Sequence, residues 1–169
     1  MNKNLIEIEH GTFIFREEIK FIISSNLNTT SINKIVKKAK KEQKYFKLNK
    51  DFNSFVITAD NTVYACKSKP KTLYERLMSL NYQMLDISED YFIALLYIKV
   101  LSSLDNILVS DIKKKKIVTT DDLQFVHQRE KRKSIIFLTT NEIVYLSRDA
   151  SELVKSISDV NQYEGIFCD

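Results

Sequence analysis

"SFVITADNTVYACKSKPKTLYERL", residues 54–77, decides how the rest of the chain is read, because "SIIFLTTNEIVYLSRDASELVKSI", residues 134–157, has the same build. Each runs an apolar strand, a polar corner holding an asparagine, a second apolar strand and a short amphipathic stretch of helical period. The two have equal length, and superposing them sets Asn61 on Asn141, Val63 on Ile143, Leu73 on Leu153 and Leu77 on Ile157. The match continues upstream. "GTFIFREEIKFIIS" laid on "DYFIALLYIKVLSS" sets Phe13 on Phe92, Ile14 on Ile93, Ile19 on Ile98 and Lys20 on Lys99. The offset is 79 residues upstream and 80 downstream, so one residue separates the two frames. The expectation is one unit used twice, residues 1–80 and residues 81–169, with the boundary between Ser79 and Ser88.

Alternating apolar runs place strands near 4–9, 12–16, 19–24, 45–48, 54–59 and 62–66 of the first unit. Helical period places helices near 30–44 and 70–79, the second opened by Pro70, which a first helical turn tolerates. The second unit repeats the plan, which demands a helix over 106–118 where the local composition also suits a strand and a loop. Two glycines and one proline are few for so many strands, so the turns lean on Asn, Asp and Ser. The expected fold class is α+β, two tandem small β-rich units, each a twisted, mostly antiparallel sheet with two short helices.

The net charge of +4 hides an asymmetry: residues 1–80 hold 15 Lys and Arg against 8 Asp and Glu, and residues 81–169 hold 11 against 14. A first half at +7 suits a polyanionic partner, and the second stands at −3. Cys66 and Cys168 show no paired spacing, so neither a disulfide framework nor a zinc site is expected. "YFIALLYIKVL", residues 91–101, is too short to cross a bilayer and contains Lys99. The residues before Lys20 carry Glu7, Glu9, Glu17 and Glu18 and do not read as a secretory signal. A cytoplasmic, nucleoid-associated protein is expected, with no membrane partner.

The segment richest in chemistry is "TTSINKIVKKAKKEQK", residues 29–44. At 100° per residue Ile32, Ile35, Val36 and Ala39 share one face. Lys34, Lys37, Lys38, Lys40, Lys41 and Lys44 cover the other, with Glu42 the only acid among them. A solvated outer face normally mixes charges, whereas lysines with so little interleaved acid repel one another unless an anion lies across them. In the second unit "REKRK" puts Arg129, Lys131, Arg132 and Lys133 at the turn before "SIIFL", where cations reach phosphates or blunt a strand edge. His10 and His127 lie without a nucleophile or carboxylate at motif spacing, and no phosphate loop or nucleophile elbow occurs. Neither an enzyme nor a cofactor or small-molecule substrate is expected.

The pieces "IEHGTFIFREEIKFII", "TTSINKIVKKAKK" and "SFVITADNTVYACKSKPKTLYERL" resemble the RemA/RemB extracellular-matrix regulators of bacteria over residues 4–77. The likeness rests on Gly11 after the first strand, the amphipathic helix with a basic outer side, and the closing strand–strand–helix with Pro70, Thr72, Arg76 and Leu77. It implies a DNA-binding regulator that works as an oligomer, ring-like in the family, with DNA on a basic rim. The family's first arginine falls at Glu18 here, with Arg16 close by, and its paired arginines fall near Lys50 and Asp51. In the second unit the same place holds Lys131, Arg132 and Lys133. The expected function is DNA-phosphate binding with weak sequence preference, in transcriptional or architectural regulation, by a self-associating protein. The rival expectation is a non-enzymatic module whose lysine helix meets an acidic protein.

Overall fold

A computed structural model describes residues 4–27, 30–103 and 133–165. Its first elements are β1 (Leu5–Glu9), β2 (Thr12–Phe15), a 3-10 turn (Arg16–Glu18), β3 (Ile19–Ser24) and α1 (Thr30–Lys41). There follow β4 (Tyr45–Lys47), β5 (Ser54–Thr58), β6 (Val63–Cys66) and α2 (Pro70–Ser79). The later elements are β7 (Met84–Ser88), β8 (Tyr91–Ala94), a second 3-10 turn (Leu95–Tyr97), β9 (Ile98–Ser103), β10 (Ser134–Leu138), β11 (Ile143–Leu146) and α3 (Ala150–Gly165). The fold is α+β with mostly antiparallel sheets, and the chain divides into two compact units, Met1–Tyr97 and Ile98–Asp169.

In the first unit β3 is the run "IKFIIS", buried at every position. A strand buried on both faces has no solvent side and must lie inside a sheet covered on both sides. Here it takes β5 on one edge and β8 on the other, within a six-stranded sheet of order β4-β6-β5-β3-β8-β7. Only β4 and β6 pair in parallel. The hairpin β7–β8, which the repeat assigns to the start of the second unit, is therefore part of the first sheet, and the first compact unit runs through Tyr97.

Cross-strand registers sort the sheet into two faces. Phe46, Tyr64, Val56, Ile22 and Phe92 form one row across it. This face shares a core with Leu73 and Leu77 of α2 and with Ile6 and Ile8 of β1, and the Tyr74 ring stacks on Phe92 at 4.4 Å. Tyr45, Val63, Ile57, Phe21 and Ile93 form the opposite row. Lys40 Nζ of α1 lies 4.7 Å above the Tyr45 ring, which puts α1, with buried Ile32 and Ala39, on that side.

β1 reads "LIEIE", and its alternation buries Ile6 and Ile8 while turning Glu7 and Glu9 outward. Its two-residue turn to β2 holds Gly11 at φ +75, a backbone conformation that suits glycine. The hairpin is tied down from both ends. Arg76 Nη1 donates to the Glu7 carbonyl at 3.1 Å, the Lys67 amide donates to Glu9 Oε2 at 2.6 Å, and Arg16 Nη1 donates to the Leu80 carbonyl.

Both helices of the first unit end in one way. Gln43 after α1 (φ 58) and Asn81 after α2 (φ 58) turn left-handed, and Lys44 and Tyr82 return their amides to Ala39 and Leu77 at 2.8 and 3.0 Å. Helical period alone carried α1 to residue 44; the Schellman closure stops it at Lys41 and leaves Lys44 in the cap. No helix among the described residues is long and apolar enough to cross a membrane.

The second unit contains the sheet β11-β10-β9 and α3. Its hydrogen bonds follow those of the first at the spacing read from the sequence. Thr58 N–H donates to Thr62 O at 3.0 Å and Leu138 N–H to Glu142 O at 2.9 Å. The Ser54 hydroxyl donates to Ser68 O at 2.8 Å and the Ser134 hydroxyl to Arg148 O at 2.7 Å. Asn61 and Asn141 both sit at positive φ, 65° and 71°. Residues 106–118 lie outside the described residues.

Asn61 serves the fold twice, taking the left-handed corner and accepting from the buried Lys20 ammonium through Oδ1 at 2.9 Å. Asn61→Gly keeps the corner and loses the acceptor, so urea unfolding should show a loss of about 1.5–3 kcal/mol. Asn61→Ala adds strain at the corner and should fall roughly 1 kcal/mol lower still. Equal losses for the two variants would remove the corner's share.

Burial raises the Tyr82 phenol's pKa, helped by Tyr97 and Glu17, while its hydroxyl donates to Ile19 O at 2.6 Å. The folded state keeps this proton after the unfolded chain has lost it. The stabilisation is therefore complete below pH about 10 and is lost as pH rises through the raised folded value. Tyr82→Phe should be less stable at pH 7 by about 1 kcal/mol, with a shallower decline above pH 10, read by denaturant titration across pH.

Candidate nucleic-acid interface

The apolar arc of α1 is spent on the sheet, so its remaining circumference faces outward. Lys34, Lys37, Lys38 and Lys41 fall within an arc of about 100°, spread along roughly 10 Å of axis. All four are exposed, as is Lys40. Lys38 Nζ lies 3.8 Å from Glu42 Oε1, an exposed pair that contributes little. Lys34, Lys37 and Lys41 make no ion pair among the described residues. The helix thus holds three uncompensated ammonium groups on successive turns of one face, a spacing that meets a run of anionic groups better than a single one.

The remaining sequence candidates divide by what they touch. Lys40 is drawn sideways over the Tyr45 ring. Lys44, half-buried, donates to the Asp60 carbonyl at 3.1 Å and stands 4.0 Å from its carboxylate. The Thr58 hydroxyl, at 2.5 Å, does most to hold the Asp60 carboxyl below its ordinary pKa, with Thr62 and Lys44 adding to it against burial. Lys50 is exposed in the turn after β4, between Asn49 and Asp51, whose amide donates to Asn49 Oδ1 at 3.1 Å.

Arg16 is occupied inside the fold. It is half-buried, its Nε donates to Glu17 Oε1 at 3.0 Å, and Nη1 binds the Leu80 carbonyl that ends α2. In the second unit Lys133 is exposed with Nζ 3.5 Å from Asp149 Oδ2. Arg129, Lys131, Arg132, His127 and Cys168 lie outside the described residues. His10 is exposed at the β1–β2 turn, Nδ1 3.9 Å from Glu7 Oε1. Cys66 is buried, and desolvation, with Glu9 near, pushes its thiol up to about 12.

Lys47 is among the exposed cations that the sequence reading did not single out. At the end of β4, it lies 5.5 Å over the Phe52 ring, and beside it exposed Phe46 stacks on Tyr64 at 5.4 Å. The alternation of "YFK" was the available signal, but a three-residue strand is too short to reveal which side stays wet.

No curated protein matches the chain. Residues 5–77 match the family model described as RemA-like, extracellular matrix regulatory protein A-like. The match begins with β1 and ends inside α2, taking in Gly11, the whole lysine face and the Asn61 corner. Residues 5–77, from β1 into α2, are thus similar to the RemA-like family.

Proposed function

We propose that the chain is a DNA-binding regulator, acting on transcription or local DNA architecture in the control of extracellular matrix, and working as an oligomer. The observation that carries the reading is the face of α1 made by Lys34, Lys37 and Lys41, exposed and without a carboxylate partner among the described residues. Lys38, Lys40 and Lys50 extend it, and Lys131, Arg132 and Lys133 are a second basic group on a half that is a diverged copy of the first. Ammonium groups on flexible stems neutralise phosphates without reading bases. Specificity then comes from DNA shape or from the spacing of units in an assembly. No side chain is assigned a catalytic role.

The test is fluorescence anisotropy of a labelled AT-rich duplex of about 40 base pairs at two salt concentrations, since each neutralised phosphate steepens the salt dependence. The wild type should bind tightly at low salt. Replacing Lys34, Lys37 and Lys41 together by Gln should weaken binding at least tenfold and lower the log–log salt slope by up to about 2.7, leaving the melting temperature unchanged. Absence of binding at low salt would remove the DNA reading and point the lysine face at an acidic protein. Arg16→Ala should do the reverse of the lysine variant, lowering thermal stability with little effect on DNA affinity, because its guanidinium closes α2 onto the hairpin.

A further inference from the structure

The junction between β8 and β3 is built once inside the chain, and the chain carries both halves of a second one. Shifting the numbering by 79 residues turns the pairing of β1 with β2 into that of β7 with β8. Leu5↔Phe15 becomes Met84↔Ala94, Glu7↔Phe13 becomes Asp86↔Phe92, and the bulge recurs at the same place. The pairing of β3 with β5 likewise has its counterpart in β9 with β10, again with the same irregularity. One relation has no counterpart. β8 lies on β3, whereas β2 pairs only with β1, and β9 only with β10, among the described residues.

Burial marks the same gap. Phe92 and Ala94 of β8 are buried, and their counterparts Phe13 and Phe15 of β2 are 44% and 51% exposed. Phe21 of β3 is buried, and its counterpart Val100 of β9 is 43% exposed. Tyr74 of α2 stacks on Phe92, and its counterpart Val154 of α3 is 50% exposed. Six large apolar side chains are exposed among the described residues, and four of them stand where the first unit has a filled junction.

We infer that the outer edge of β9 receives the β1–β2 hairpin of a second copy of this chain, as β3 receives β7–β8. The registers Phe21↔Ile93, Ile22↔Phe92 and Ile23↔Tyr91 then set the contacts between copies. Val100 faces Ile14 of the second copy, Leu101 faces its Phe13 and Ser102 its Thr12. Phe13 packs over Leu101 toward Val154, as Phe92 packs over Ile22 toward Tyr74. The pairing is β-strand addition, with main-chain bonds for affinity and the aromatic side chains for register. Each chain offers one hairpin and one edge, so the contact is head-to-tail and propagates from copy to copy.

This inference rests on the self-association in the reading above and not on its DNA contact. The test uses Phe13→Glu and Val100→Glu in the full chain, both at exposed positions, with folding checked by circular dichroism and mass read by light scattering. The wild type should exceed the 19.8 kDa of one chain, and each variant alone should be monomeric. An equimolar mixture should give one species of twice that mass, because the intact edge of one variant meets the intact hairpin of the other. Thr12→Cys and Ser102→Cys chains, each also carrying Cys168→Ser, should cross-link when mixed and not singly. A monomeric wild type, variants that keep the wild-type mass, or a mixture that stays monomeric overturns the inference. Salt-dependent DNA binding by a monomeric wild type would leave the DNA contact standing and remove this junction.

Discussion

The first unit depends on β3 having two partners. Six consecutive residues of that strand are buried, and no arrangement with an open edge could keep both its backbone bonded and its side chains dry. β5 supplies one edge from close in sequence. The other edge is filled by β8, nearly 70 residues further along. Much else follows from this pairing. Phe92 arrives opposite Ile22 and gives α2 its stacking partner through Tyr74, while Tyr97 brings its hydroxyl to the Glu17 carbonyl. α2 is held between the two hairpins it helps to seat.

The local devices were legible in the sequence, and the long-range one was not. Asn61, Gly11 and Pro70 announce a left-handed corner, a tight hairpin and a helix start, because each residue type has a conformational preference that acts over a few residues. The stripe of Ile32 and Ala39 likewise gave α1 its buried side. The end of α1 was missed because Gln43 has no marked preference for the left-handed region that it adopts. The pairing of β8 with β3 was hidden for another reason. "YFIA" reads as a strand, but alternation says nothing about which strand lies beside it, and the repeat does not show that β8 pairs with β3. Arg16 was a candidate only because it stands close to the family's first arginine position, and the Leu80 carbonyl shows where its guanidinium goes.

Two strands of nearly the same sequence show how far context sets burial. "IKFIIS" and "IKVLSS" begin alike, yet β3 is buried throughout and β9 is nowhere fully buried. The differences lie where the neighbour matters. Phe21 and Ile23 are replaced by the smaller Val100 and the polar Ser102, which tolerate water better where no strand among the described residues covers the outer edge. Such a strand keeps enough apolar surface to accept a partner and too little to aggregate without one, a compromise expected of an edge that is occupied only part of the time.

The cations separate by the same logic of what is already occupied. Lys20 is buried against Asn61, Arg16 binds a helix-end carbonyl, and Lys44 is anchored to Asp60; moving any of these would cost the fold. Lys34, Lys37 and Lys41 hold nothing together among the described residues. Their mutual repulsion on one helix face is mildly destabilising, and an isolated unit gains nothing from it. A charge arrangement that the fold does not need is best understood through what it meets. On the proposed reading, a phosphate backbone turns that repulsion into attraction at no expense to the core, because the apolar side of α1 is fixed independently by Ile32 and Ala39.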